Sequence, residues 1–281
     1  MKKFLTFILT IVISILICVL CVSVSIKEIV VNTISKEVVK KEVASEVTNT
    51  AKEIYPDMDY DTLEKIETSI NNSSTVDEMT EKYFDNIVDA IVNDKEVTIP
   101  NTQQEIYDLI DQNEAILKEN NIELTEEQKQ QISIELTEDG KIDKIYNNVS
   151  NKVIDNMSEG EVTLVKTYSA VTNNSFKWIM AGIIIILTVL IALVKKTYYR
   201  WTYNLAVSFA IAGILLTLAF PFVVDSVAID ITTKVIGNAA DLNVNNVINL
   251  GYVCFAISAL LIIIYLVGNK VTRYNERKNN Y

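Results

Sequence analysis

The residues best suited to chemistry are carboxylates. Asp57, Asp59 and Asp61 alternate in the way the opening of a calcium-binding loop does. Such a loop needs glycine at its sixth position for the sharp turn and glutamate at its twelfth to close the cage. The chain has Thr62 and Thr68 at those places. The competing role is plain: acids that precede a helix are stabilised by its N-terminal dipole. The sequence contains no histidine, which removes Ser-His and Cys-His nucleophile pairs, His-ligated metal sites and imidazole proton shuttles.

A second acidic stretch runs from Glu135 to Tyr146. Counted from Glu135, it places Asp139, Gly140, Ile142 and Asp143 at positions 5, 6, 8 and 9. Over this dozen residues the pattern resembles part of an EF-hand or dockerin-type loop. The resemblance implies a cation, but the twelfth position is Tyr146, so the closing carboxylate is missing, and the first is Glu rather than Asp. An Asp-Gly turn accounts for the same residues. No metal ligand is therefore assigned. Catalytic and cofactor-binding residues are likewise assigned nowhere, for the chain has no G-x-S-x-G, P-loop or G-x-G-x-x-G. The three cysteines, Cys18, Cys21 and Cys254, fall in apolar stretches, where small-residue packing is their expected role. Asn72, Asn148, Asn156 and Asn173 each open an Asn-x-Ser site, which matters only in a eukaryotic secretory pathway.

What positions any chemistry is a membrane. Phe4 to Ile26 is 23 residues without a charge, long enough to cross about 30 Å of hydrocarbon as a helix. Trp178–Val194, Trp201–Val224 and Val247–Val267 are likewise uncharged. The first stretch exceeds the usual apolar core of a cleaved signal and lacks an A-x-A-like site, so it reads as an anchor. The fold expected is an all-α membrane protein with four transmembrane helices and a mostly helical extracytoplasmic domain between the first two. Residues 1–26 form the cytoplasmic tip and first span, and 27–176 the acidic external domain. Residues 177–281 hold the other spans, 178–194, 201–224 and 247–267, with a short external loop and a basic tail.

Charge sets the orientation. Lys2, Lys3, Lys195, Lys196, Arg200, Lys270, Arg273, Arg277 and Lys278 flank the spans on one side, with Glu276 as the lone acid among them. The 27–176 segment holds 14 Lys against 32 acidic residues, a net charge of −18. Basic residues stay cytoplasmic, so both termini are expected inside and 27–176 outside. Trp178, Tyr198, Tyr199, Trp201 and Tyr203 stand where interfacial aromatics belong. The Lys-rich, Arg-poor composition points to the cell membrane of a Gram-positive bacterium. The acidic balance argues against nucleic acid as a partner.

Within 27–176, apolar residues recur about every four positions: Ile26, Val30, Ile34, Val38, then Val43, Val47, Ala51 and Ile54. Neither Pro nor Gly intervenes from Phe4 to Ile54, which predicts one continuous rod. Thr75–Glu78, Thr102–Glu105 and Thr125–Gln128 each fit a capping box. They lead into the stripes Met79, Tyr83, Ile87, Ile91 and Ile106, Leu109, Ile110, Leu117. Ile142, Ile145, Val149, Val153 and Met157 form a near-heptad stripe of the coiled-coil kind. Ile132–Leu136 alternates before Asp139-Gly140, which leaves a short hairpin open there. Spans one and three also lead into similar segments, Val30–Lys36 and Ala228–Lys234, as a weak duplication would.

Together these features favour a non-enzymatic membrane protein whose external domain binds a partner or senses the cell envelope. Its partners would be membrane lipid and a protein in or outside the membrane. A small transporter or channel subunit is the alternative, disfavoured by spans without Asp, Glu, Lys, Arg or His. A membrane-bound enzyme without a recognisable motif is the third.

Overall fold

The computed structural model describes residues 2–35, 39–119, 122–138, 141–155, 157–195, 199–222, 224 and 242–279. Among the described residues all regular structure is helical and no strand occurs. The elements are α1 (Lys2–Ile34), α2 (Lys40–Ile54), α3 (Tyr60–Asn71), α4 (Ser74–Asn93), α5 (Gln103–Gln112), α6 (Glu114–Glu119), α7 (Glu126–Glu138), α8 (Lys141–Asp155), α9 (Glu159–Thr172), α10 (Asn174–Lys195), α11 (Arg200–Ile214) and α12 (Asn245–Asn279). The chain divides into two compact units. One, here the span unit, is drawn from Met1–Ile29, Ala170–Val227 and Leu242–Tyr281. The other, the acidic unit, is built on Val30–Ser169.

The span unit contains four helices long and apolar enough to cross a membrane: Lys2–Thr33, Asn174–Lys195, Arg200–Phe222 and Asn245–Tyr274. The first, second and fourth run a few residues beyond the uncharged stretches that announced them, because helix geometry continues past the apolar run, whereas the third closely matches its stretch. Helices α11 and α12 pack closely through glycines. A Cβ at Gly251 would meet the Thr217 methyl at 2.5 Å, and one at Gly213 would meet the Phe255 ring at 2.8 Å. Small residues permit this backbone approach, as they do between helices in lipid. Ala206, Ser208, Ala212 and Gly213 are buried, as expected of packing positions, while Ala210 is half-exposed. Beyond Ile214 the ladder widens into a π-helical stretch, Leu215–Ala219, at the place where Gly251 approaches.

The acidic unit has an ordinary hydrophobic core. Met79, Tyr83 and Ile87 of α4 meet Ile106 and Leu109 of α5, Leu136 of α7, and Ile142 and Tyr146 of α8. The helical stripes therefore point where their spacing says. The Tyr83 and Tyr146 rings lie 4.5 Å apart between centroids, within the range of a favourable aromatic pair. The expected 102–117 helix is divided at Asn113, the residue between α5 and α6. Ile132–Leu136 is helical, within α7, so the strand half of the expected hairpin is corrected; its turn at Asp139-Gly140 lies outside the described residues. In α7 the buried positions are Lys129, Ser133 and Leu136, spaced by four and three as on one helix face, so the helical period rather than the alternation decides what turns inward. The expected rod is interrupted in its regularity: α1 ends at Ile34, Ser35 and Val39 are π-helical, and α2 starts at Lys40. Residues 36–38, on which continuity turns, lie outside the described set, as does Ala228–Lys234 of the suspected duplication.

Candidate functional site

The acidic unit encloses a cavity of about 60 Å³. Ala51 and Val47 of α2, Ile66 of α3, Ile106 and Ile110 of α5, Leu117 of α6 and Ile132 of α7 supply a hydrocarbon wall. Asn113 is the amide in that wall and is only 4% exposed. Its position follows from the division between α5 and α6. The Asn113 amide nitrogen donates to the Leu109 carbonyl at 2.8 Å, back along the end of α5. That bond fixes which way the amide faces, since a flipped oxygen would oppose the carbonyl. The amide oxygen Oδ1 is left buried with no hydrogen-bond partner among the described residues. An acceptor left in that state costs about 1–3 kcal/mol.

An outer cleft of about 280 Å³ adjoins the cavity, with Tyr55 and Met58 lining both. Pro56, Asp57, Asp59, Thr62 and Ile122 complete it. Here the first acidic cluster finds its place. Asp59 caps α3, accepting from the Thr62 amide at 2.8 Å. Hydrogen bonding to Thr62 holds its carboxyl below the usual range. Asp61 pairs with Lys65 at 2.8 Å, one helical turn on. The cluster thus begins a helix and is not gathered as a calcium loop. In the second cluster, Glu135 lies in α7, and Asp139 and Gly140 lie outside the described residues. Burial lifts the Asp143 carboxyl above its usual range. Among the described residues no three His, Cys, Asp or Glu side chains are placed to hold a metal ion.

Sequence reasoning missed the most elaborate polar cluster. Lys129 is 2% exposed, and its ammonium meets Asp111 at 2.6 Å, Glu114 at 3.1 Å and Glu126 at 3.2 Å. Hydrogen bonds to Asp111 and then Glu114 raise its pKa. A lysine in a segment full of acids carries no signature that separates a buried one from an exposed one. The capping boxes divided in the same way. Thr125 and Gln128 form the reciprocal pair, with Thr125 N–H donating to Oε1 at 2.8 Å and Gln128 N–H donating to Oγ1 at 3.3 Å. At α4 the cap is Ser73, two residues before the expected Thr75. At α5, Thr102 makes no side-chain cap bond; Asn101 accepts from the Gln103 amide, and Glu105 pairs with Lys82.

The span unit holds a seam of small polar groups. The Ser208 hydroxyl donates to the Thr10 carbonyl at 2.9 Å, and the Asn204 amide to the Thr10 hydroxyl at 3.0 Å, joining α1 to α11. Ser258 of α12 donates to the Ala206 carbonyl at 2.8 Å. These bonds let hydroxyls sit within apolar helices without losing their partners. The three cysteines come together in space: Cys18 and Cys21 of α1 pack against the buried cluster that includes Cys254 of α12. The signal available in the sequence was the three-residue spacing of Cys18 and Cys21, which puts both on one helix face.

No family model matches the chain, and neither a curated protein nor a solved structure matches it.

Proposed function

We propose that this chain is a non-enzymatic multi-pass protein of the cell membrane, with both termini cytoplasmic. Its acidic helical domain, 27–176, stands outside and binds a partner or senses the cell envelope. The observation that carries this reading is the coincidence of charge with folding. The segment with a net charge of −18 is also the segment that builds its own hydrophobic core. The three arginines and six of the lysines sit in short stretches that flank the spans on one side, with Glu276 as the lone acid among them, as the positive-inside rule expects. A domain of this kind suits recognition. The cytoplasmic stretches are short, so an outcome inside the cell would pass through a partner. The composition supports a Gram-positive source.

Labelling in intact cells tests the orientation. In a background with the three native cysteines replaced, a membrane-impermeant maleimide should modify Glu67→Cys, an exposed site on α3, and spare Arg273→Cys. Asn113, which the sequence would offer as an outside position, is buried and unsuited to this use. Labelling of the 273 variant from outside would invert the topology. Photo-crosslinking from Tyr60, which is 81% exposed, then tests for a protein neighbour. Substrate flux through reconstituted proteoliposomes would instead establish the transporter alternative.

A further inference from the structure

The last span ends in an uncompensated pair of cations. Helix α12 has no charged residue from Val247 to Val267, and then Lys270 and Arg273 follow. Both are exposed, and neither has an acidic partner among the described residues. With Leu266, Asn269 and Tyr274 they line a cleft of about 420 Å³, within the ~300–1,000 Å³ typical of ligand sites. Helical spacing gathers them: Asn269, Lys270, Arg273 and Tyr274 follow Leu266 by three, four, seven and eight residues, so all five share one face.

The neighbouring helix holds that face in place. Tyr199, just before α11, packs so closely on Gly268 that a Cβ there would meet its ring at 2.5 Å. Its hydroxyl donates to Asn269 Oδ1 at 3.4 Å. The acceptor of that amide is thereby used, and the Nδ2 donor is left without a partner among the described residues. Tyr199 and Tyr203 both lie against Tyr265, with ring centroids 6.0 and 5.3 Å away.

What the cleft offers is therefore a set of donors: Asn269 Nδ2, the Lys270 ammonium, the Arg273 guanidinium and the Tyr274 hydroxyl. A basic ligand would be repelled. Phosphate is the complement, since it brings negative charge and several acceptor oxygens. The arginine fork can take two of them while lysine acts as a point charge. Leu266 adds the second half of the argument. It is exposed and belongs to the uncharged stretch, whereas Arg273 stands roughly 10 Å further along the helix. The cleft thus runs from hydrocarbon depth to headgroup depth. A soluble phosphate would leave Leu266 uncovered, and an acyl chain would cover it.

We infer that this cleft binds one anionic glycerophospholipid, its phosphate on Lys270 and Arg273 and its chain beside Leu266. A zwitterionic lipid would bring its ammonium to the same cations and fit worse. The inference rests on the reading of α12 as a membrane span and supplies the lipid class it meets. Binding in micelles does not depend on sidedness, so its failure and a failure of the proposed topology are seen in separate experiments.

Native mass spectrometry of the full chain, released from detergent micelles, decides it. The probes are dioleoylphosphatidylglycerol, dioleoylphosphatidylcholine and sn-glycerol 3-phosphate. One phosphatidylglycerol should bind at a concentration at least about tenfold below phosphatidylcholine, since each cation near the surface is worth about fivefold. Lys270→Gln and Arg273→Gln should each weaken that binding about fivefold, with helix content kept because both sites are exposed. Lys3→Gln, a basic residue of α1 that does not line the cleft, should leave it unchanged. Equal affinity for the two lipids overturns the inference, as does wild-type affinity in both cleft variants. An equal loss in Lys3→Gln overturns it in favour of diffuse surface charge. Glycerol phosphate bound as tightly as the lipid overturns it in favour of a soluble phosphate.

Discussion

The span unit and the acidic unit solve the same problem, burying helix faces, with opposite materials. In the span unit large apolar side chains face outward: Ile185 is 63% exposed and Leu193 65%. Its interior sets small residues, and hydroxyls that donate to carbonyls of the next helix as Ser208 and Ser258 do, beside a few buried aliphatics such as Ile13, Ile191 and Leu216. In the acidic unit the large residues point inward, and charge is managed by ion pairs such as Lys40–Asp77 at 2.9 Å. The difference teaches what drives each. Where the surroundings are lipid, moving an isoleucine inward gains little, so close backbone approach decides the packing. Where the surroundings are water, apolar burial decides it.

The sharpest way to break this contrast is to delete the same side chain in both units. Ile70 of α3 is fully buried in the acidic core. Ile70→Ala should destabilise that unit by about 2–5 kcal/mol, the sum of lost transfer energy and the cavity left behind. Ile185→Ala, on an outward face of α10, should leave stability in nanodiscs close to wild type. Urea unfolding followed at each unit separately, with reporters on α4 and α11, checks the pair. An equal loss at both positions would show that α10 is covered by something other than lipid.

Which parts of this were legible in the sequence follows from the physics of each. The four spans were readable because a charge-free run of this length has few other uses. The stripes of α4 and α5 were readable because water enforces their period, and Tyr83 and Ile106 are buried as expected. The ends of elements were harder. Ser73 caps α4 in place of Thr75, and nothing local distinguishes a serine at the first position from a threonine two residues on. The site was not legible at all. Asn113 reads as an ordinary surface residue, and only the division of the expected 102–117 helix turns it inward. Contacts between distant segments, such as Lys129 with Asp111 or the packing of Cys21 into the cluster that holds Cys254, have no local pattern to announce them.

A second expectation uses pH. Tyr83 donates its hydroxyl to the Asn147 side chain at 2.8 Å, and burial pushes its pKa up to about 12. The unfolded chain would ionise near 10. The folded state therefore holds this proton more tightly, and its contribution is fully present below pH 10 and lost as pH rises through 12. The loss is about 3 kcal/mol or less. Tyrosinate absorbance should show a component with a midpoint near 12 that disappears in Tyr83→Phe. The acidic unit of that variant should lose less stability between pH 10 and 12 than the wild type does.

Glycine substitution sharpens the comparison from the other side. Gly251 is in contact range of Thr217 and of the Gly213 carbonyl, so Gly251→Ala forces α11 and α12 apart. The cost expected is about 1–3 kcal/mol, seen as a lower melting temperature in detergent. Gly160, in α9, has only the Ser158 hydroxyl near it, 3.9 Å from where a Cβ would stand. Gly160→Ala should stabilise its helix by about 0.4–1 kcal/mol, because the unfolded chain loses freedom and the folded one loses nothing. A neutral Gly251→Ala would show that the close approach of the two helices has slack.

The smallest effect separates two threonines that the sequence presents as equals. Thr125 and Thr102 both open a capping box. Thr125 accepts from the Gln128 amide, is exposed, and gives up a real bond when removed. Thr125→Ala should cost about 1 kcal/mol, the usual loss for an N-cap. Thr102 is buried and its hydroxyl has no partner among the described residues, while Asn101 serves the first turn of α5. Replacing a buried unpaired hydroxyl by a methyl of the same shape removes a desolvation cost without opening a cavity. Thr102→Val should therefore be neutral, or stabilise the acidic unit by up to about 1 kcal/mol. The two variants should move the unfolding midpoint of that unit in opposite directions. A loss from Thr102→Val as large as that from Thr125→Ala would mean the hydroxyl is bonded after all, and that the box signature reports a cap at both helices.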